Sequence, residues 1–105
     1  MQQVKRTIVR TSLPDLRRTL VTDLDVFTTN GETLVIAKNN CKIKLNSQLG
    51  DSIIVKVLNG ALIIPDLGRI DEEWDEIILE KGACVDFRFV EGNWYILSSD
   101  GLKTV

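Results

Sequence analysis

"CVDFRFVEGNWYIL", residues 84–97, is the stretch of sequence that decides the fold. Its first half alternates between apolar and charged side chains, which is typical of a strand with one face on a core and the other in water. The apolar positions are Val85, Phe87 and Phe89, and Asp86 and Arg88 separate them. Glu91, Gly92 and Asn93 then predict a tight turn, so the whole stretch predicts a β-hairpin.

The second strand of this hairpin does not alternate. Trp94 and Ile96 point to one face, Tyr95 and Leu97 point to the other, and both faces are therefore apolar. The same two-sided pattern occurs in "SIIVKVL" (52–58) and in "ALII" (61–64). A chain of 105 residues has too little material to cover both faces of three such strands. We therefore expect a partner, and identical subunits are the simplest one.

The rest of the chain after residue 24 predicts short strands separated by turns. Asn30-Gly31 and Asn59-Gly60 each lie between two β-prone runs and predict two more hairpins, because Asn-Gly favours a type I′ turn. Apolar and polar residues alternate in "CKIKLN" (41–46), and "IDEEWDEIIL" (70–79) predicts a turn followed by a strand. We therefore predict an all-β fold over residues 25–105, a small antiparallel β-sandwich or barrel-like module.

Residues 1–24 form a basic N-terminal arm in this scheme, either a short helix or an extended segment. Leucines at 13, 16, 20 and 24 have helical spacing, with Ser12 as a candidate cap. Residues 1–20 carry five basic side chains against one acidic, a net charge of +4, while residues 21–105 carry −6. This asymmetry favours docking to an acidic partner surface, with a solvated tail as the alternative. The residues expected to anchor the arm are Val4, Lys5, Arg6, Ile8, Arg10, Leu13, Arg17 and Arg18.

The sequence offers little catalytic or metal-binding chemistry. It contains no histidine, which excludes Ser-His and Cys-His nucleophile pairs, and it has no glycine-rich phosphate loop. The acidic residues between Asp71 and Glu76 lack the spacing of a calcium loop and predict a solvated turn. Cys41 and Cys84 occupy apolar strand positions and are predicted to be buried free thiols, with a disulfide as the alternative.

These features lead us to expect no enzyme activity, no cofactor and no metal. No apolar run approaches the roughly 20 residues that span a bilayer, and the basic N-terminus lacks the apolar region of a secretory signal. We accordingly expect neither a membrane nor a nucleic acid as a partner.

An ordered set of short motifs between residues 30 and 100 resembles the β module of virion fibre proteins of tailed bacteriophages. The set comprises Gly50-Asp51 before an aliphatic run, Ile63-Ile64-Pro65, Gly68, Ile70-Asp71, Ile77-Ile78-Leu79 before Lys81-Gly82, the strand Val85–Phe89 and Gly92-Asn93-Trp94-Tyr95. The resemblance implies a homotrimer in which Trp94 lies in the core. From the residues alone, core or interface packing is expected for Trp74 and Trp94, with a sugar-stacking role as the alternative. The residues then expected at the trimer interface are Ile54, Leu58, Ile63, Tyr95 and Leu97.

This chain differs from long tail fibres because its sequence shows no shaft, no repeated segments and no coiled-coil heptads. The resemblance therefore implies a small head-fibre or capsid-decoration subunit, similar to those of crAss-like phages, attached to the capsid through the N-terminal arm. It also implies a place in the virion after assembly in the host cytoplasm, with capsid or other virion proteins as partners. The alternative is a short tail-fibre or baseplate adhesin that binds a host surface glycan.

Overall fold

The computed structural model describes residues 18–103, and this range contains eight β-strands and no α-helix. The strands are β1 (Thr19–Thr22), β2 (Val26–Thr28), β3 (Leu34–Ala37), β4 (Cys41–Lys44), β5 (Ser52–Val57), β6 (Ala61–Ile64), β7 (Ile77–Val90) and β8 (Asn93–Lys103). They form one curled, mixed sheet with the shape of half a barrel. The prediction of a small all-β, barrel-like module is confirmed.

The first six strands form three stacked rungs of two strands each. The rungs are β1 with β2, β3 with β4, and β5 with β6, and in each rung a corner of three residues joins the two strands. β1, β3 and β5 pair in parallel and form what we call the odd wall. β2, β4 and β6 pair in parallel and form the even wall. Because equivalent strands lie side by side, each rung repeats the course of its neighbour.

Columns of apolar side chains line the inside of both walls. On the odd wall one column consists of Leu20, Val35, Val55 and Val85, which are neighbours in the strand register. On the even wall the corresponding column consists of Phe27, Ile43, Ile63 and Ile77. All of these side chains are buried except Leu20, which is half-buried. Burying one such side chain contributes about 1.5–3 kcal/mol, so these columns determine which face of each strand points inward.

The three corners are connected by asparagine side chains. Asn39 Nδ2 donates to the backbone carbonyl of Asp23 at 3.1 Å, and Asn59 Nδ2 donates to that of Lys38 at 2.6 Å. Each side chain therefore bonds a carbonyl of the preceding rung, at a place where the chain leaves the sheet and the regular ladder of hydrogen bonds is interrupted. These bonds help to keep the rungs in register.

The hairpin of β7 and β8 closes the stack beyond the third rung. Residues 84–88 of β7 pair antiparallel with β5 and residues 77–79 pair antiparallel with β6, so one strand spans both walls. The turn has positive φ at Glu91 (48°) and Gly92 (91°), as a type I′ turn requires. The hairpin predicted here is confirmed.

A loop of the same chain covers the inner apolar face of β8. Trp94 is 1% exposed and packs against Phe89, with ring centroids 5.3 Å apart. Ile70 forms β-bridges with both Trp74 and Trp94, and Asp71 N donates to Trp94 O at 2.8 Å. Trp94 is therefore a core residue, as predicted, and its burial requires no partner.

The sheet is mixed rather than antiparallel, and two of the predicted hairpins are wrong. β2 does not pair with β3, because Asn30-Gly31 lies in the connection that leads to the next rung. β5 does not pair with β6, because Asn59-Gly60 lies in the corner of the third rung. Neither Asn30 nor Asn59 has a positive φ, so no type I′ turn forms at either step.

The described part of the N-terminal arm is extended. β1 begins at Thr19, within the arm predicted over residues 1–24, and pairs with β3, so the module includes residues before position 25. The remainder of the arm, residues 1–17, lies outside the described residues.

Candidate interaction surfaces

The predicted anchor of the arm is represented in the structure by Arg18 alone. The other predicted anchoring residues, Val4, Lys5, Arg6, Ile8, Arg10, Leu13 and Arg17, lie outside the described residues. The Arg18 guanidinium folds back on the connection between the first two rungs, where Nη2 donates to the Asn30 carbonyl at 3.1 Å and Nε donates to the Gly31 carbonyl. Arg18 thus fixes the point at which the arm meets the first rung.

The residues predicted at the trimer interface lie in different environments. Ile63 is buried in the core column of the even wall, because Ala61 and Ile63 face inward; it has no surface for a partner, and its assignment to an interface is wrong. Ile54 is half-buried on the outer surface of the odd wall, and Leu58 lies at the third corner, 44% exposed. Tyr95 is half-buried and Leu97 is 55% exposed, so the structure does not gather all five residues into one patch.

The outer surface of the odd wall carries a contiguous group of apolar residues. Val21 lies beside Ile36 and Leu34 lies beside Ile54 in the strand register, and we call these four residues the odd-wall patch. Val21 is 57% exposed and the other three are half-buried. An exposed apolar surface of this kind is typical of an interaction site.

Of this patch, the sequence analysis identified Ile54 alone. The signal for Leu34 and Ile36 is the run "LVIA" (34–37), in which both faces of the strand are apolar. Val21 was missed because it fell in the predicted arm rather than in the sheet.

Asp66 connects two loops to the core tryptophan. Its Oδ1 accepts from Trp94 Nε1 at 2.9 Å, and its Oδ2 accepts from Ser47 N at 2.9 Å and from Ser47 Oγ at 2.8 Å. Partial burial acts to raise the pKa of Asp66, but the hydrogen bonds from Trp94 and Ser47 outweigh it and lower the pKa below its ordinary value of 3.8.

This carboxylate should make the stability of the protein depend on acid pH. Because the pKa of Asp66 is lower in the folded than in the unfolded protein, its contribution to stability is fully present above the unfolded pKa of about 3.8 and is lost as the pH falls through the folded pKa. We expect Asp66→Asn to weaken the fall in urea midpoint between pH 5 and pH 2. Asp75→Asn, at a carboxylate that is 84% exposed and paired with Arg69, is the control. An unchanged pH profile in Asp66→Asn would contradict this role.

The acidic segment 71–76 contacts its neighbours through individual side chains. Asp71 Oδ1 accepts from Ile96 N at 2.9 Å, Glu72 Oε2 accepts from the Tyr95 hydroxyl at 2.8 Å, and Asp75 Oδ1 lies 3.3 Å from Arg69 Nε. Within residues 18–103, no group of three histidine, cysteine or acidic residues is placed so that it could hold a metal ion.

The two cysteines are free thiols, as predicted, although Cys84 is half-buried rather than buried. Burial, and then the negative charge of Asp25, raises the pKa of Cys41 above its ordinary value. Because the thiolate is the reactive form of cysteine, this environment makes Cys41 a poor nucleophile.

A groove of about 360 Å³ lies at the carboxyl ends of β2, β4 and β6. Polar Thr28, Lys44 and Gln48 line it together with apolar Ile64 and Leu67. No aromatic side chain is among the described residues that line the groove. Trp94 is buried, so the proposed sugar-stacking role of this residue is wrong, and Trp74 is half-buried against the core.

No protein-family model matches the chain, and no curated protein matches it. In the part of the chain that the structure describes, no helix has the length and apolar character needed to cross a membrane. Among the described surfaces, the odd-wall patch is a contiguous apolar group on the outside of the sheet.

Proposed function

We propose that the chain is a non-enzymatic structural subunit of a tailed-bacteriophage virion, a trimeric head-fibre or capsid-decoration protein attached through its N-terminal arm. The observation that carries the proposal is the odd-wall patch, an apolar surface on the outside of a sheet whose inner core is already filled by its own chain. The location in a virion and the threefold association are inferred from the resemblance of residues 30–100 to virion fibre modules.

The geometry of the patch supports association of copies. The patch lies on β1, β3 and β5, three neighbouring strands that are hydrogen-bonded to one another. The sheet therefore holds its four side chains in fixed relative positions. Charged side chains follow on the same outer surface, because Lys56 lies beside Ile36 and Asp86 lies beside Ile54. An apolar centre with a charged margin is the usual composition of a specific interface.

The charge distribution supports attachment through the arm. The +4 charge of residues 1–20 and the −6 charge of residues 21–105 favour different surroundings for the two parts. In a trimer three arms act together, so weak docking of each arm gives firm attachment through effective concentration.

Two matched substitutions in the first rung test the trimer. Val21, 57% exposed on the odd wall, and Val26, 52% exposed on the even wall, are similar in exposure but lie on different walls. We expect light scattering to give three times the chain mass of 11.8 kDa for the wild type and for Val26→Asp, and one chain mass for Val21→Asp. A wild-type monomer at micromolar concentration would contradict the trimer, and equal dissociation in both variants would exclude the odd-wall patch as its interface.

Incorporation into virions tests the location and the arm. Deletion of residues 2–17 leaves β1 and Arg18 in place, so the module should still fold. We expect full-length labelled protein on the capsid of the purified phage and the truncated protein to be missing from it. Label on the tail would favour the alternative adhesin, for which a screen of bacterial surface glycans is the next test. Normal occupancy by the truncated protein would show that the arm is not the anchor.

A further inference from the structure

The two Asn-Gly steps of the chain lie in different surroundings, and Asn59-Gly60 is the more constrained. It belongs to the corner of the third rung. Asn59 Nδ2 donates to the Lys38 carbonyl at 2.6 Å, and the Gly60 carbonyl accepts from Cys41 N at 3.2 Å. This step is therefore bonded to the second rung through both its side chain and its backbone.

Asn30-Gly31 lies in the connection between the first two rungs and is held only by side chains. Asn30 N donates to Glu32 Oε1 at 2.6 Å, and Asn30 O accepts from Arg18 Nη2 at 3.1 Å. Asn30 is exposed, and among the described residues none forms a hydrogen bond with its side-chain amide. That amide is therefore available to react, whereas the amide of Asn59 is not.

We propose that Asn30 is a site of spontaneous deamidation in the folded protein and that Arg18 activates it, whereas the third corner protects Asn59. The proposal concerns the chain itself and does not depend on a place in a virion. It distinguishes two steps that are identical as dipeptides, so the difference in their reactivity comes from the fold.

The reaction needs only water and hydroxide. The Gly31 N–H loses its proton to hydroxide, and the nitrogen forms a bond to Asn30 Cγ, which no Cβ on Gly31 obstructs. The bond from Cγ to Nδ2 breaks, and Nδ2 leaves as ammonia. Water then opens the resulting succinimide at either carbonyl, so the product is aspartate or isoaspartate. One water is consumed, one ammonia is released and nothing is oxidised or reduced.

Arg18 is placed to favour the first step. When the Gly31 nitrogen loses its proton, peptide resonance shares the negative charge with Asn30 O. This oxygen already accepts from the Arg18 guanidinium, which is always charged. A donor that faces the atom where charge develops is the arrangement by which oxyanion sites lower a reaction barrier.

The product changes the junction between the arm and the module. In isoaspartate the chain runs through Cγ, and the former backbone carbonyl of residue 30 becomes a free carboxylate. Arg18 Nη2, which bonds that carbonyl, would then face an anion, and hydrogen bonds between charged groups are roughly twice as strong as neutral ones. Deamidation would therefore strengthen the contact of Arg18 with the connection.

Peptide mapping of the purified full-length protein, after incubation in mildly alkaline buffer, measures both sites in one sample. Trypsin releases Asn30 in peptide 19–38 and Asn59 in peptide 57–69, and neither peptide contains another asparagine. We expect Asn30 to deamidate about tenfold or more faster than Asn59, because Asn59 reacts only after the third corner has opened locally. In urea the two rates should converge. Equal rates in the folded protein, or an unchanged ratio in urea, would overturn the proposal.

Arg18→Gln tests the activation. It removes the cation but keeps a side-chain donor, and it should slow deamidation of Asn30 by about twofold to fivefold, as expected for an exposed charge interaction. The rate at Asn59 should not change. Lys42→Gln, which removes an exposed positive charge from the even wall, controls for net charge. An unchanged or faster rate at Asn30 in Arg18→Gln, or an equal effect of Lys42→Gln, would overturn the role of Arg18.

Discussion

Trp94→Ala is expected to lower the free energy of unfolding by on the order of 3–5 kcal/mol, a large part of the 5–15 kcal/mol that a small domain possesses. The side chain is 1% exposed and its ring packs against Phe89. Its removal leaves a cavity that the surrounding strands are too constrained to fill. It also removes the donor to Asp66, so the loop of Asp66 loses its connection to β8.

Urea unfolding followed by circular dichroism measures this loss. Trp74→Ala is the matched control, because Trp74 is half-buried and packs on the edge of the same core. Trp94→Phe should fall between the two, since it keeps most of the ring volume but has no indole N–H. If Trp94→Ala were no less stable than Trp74→Ala, the placement of Trp94 at the centre of the core would be incorrect.

Gly68→Ala is expected to lower the free energy of unfolding by about 4 kcal/mol or more, an effect that single substitutions rarely reach. A Cβ at this position would lie 2.0 Å from the Gly92 carbonyl oxygen and 2.5 Å from Asn93 Oδ1, and φ is +64°. The obstacle is backbone in the tight β7–β8 turn, so it cannot move aside as the end of a flexible side chain could. Arg69 N also donates to Asn93 Oδ1, and displacement of the turn would break this bond.

Gly82→Ala provides the control for this effect. Gly82 has a φ of +87°, but a Cβ there would meet nothing within 4 Å. This substitution therefore isolates the cost of the left-handed backbone, about 1–2 kcal/mol. The difference in the free energy of unfolding between the two variants, from thermal or urea unfolding, measures the energetic cost of the clash between a Cβ at position 68 and the turn. Equal losses would mean that the loop relaxes freely around residue 68.

Local patterns in the sequence were sufficient to predict β-strands after residue 24 and the closing hairpin, but not β1, which falls in the predicted arm. The alternation of Val85, Phe87 and Phe89 fixed the inner face of β7, and Gly92 allowed the tight turn. The resemblance to fibre modules placed Trp94 in the core, where the structure has it.

The parallel stacking could not be predicted from the same patterns. Alternating burial is identical for a strand in a hairpin and a strand in a rung, so "CKIKLN" does not distinguish the two. The repeat itself is obscured because the step between rungs changes from 15 to 20 residues along the odd wall. The error at Ile63 has a related cause: in "ALII" every residue is apolar, and the pattern does not reveal which pair faces inward.

The strand β7 also determines the order in which the molecule can form during synthesis. It is made after all three rungs, yet it contacts both the third strand of the odd wall and the third strand of the even wall. The turn at Glu91-Gly92 lets β7 and β8 associate quickly by local contacts, but joining the rungs requires closure of longer loops, which is slow. We therefore expect the last edge of the third rung to stay unpaired during synthesis until β7 has emerged and docked. During that interval the edge is available for aggregation.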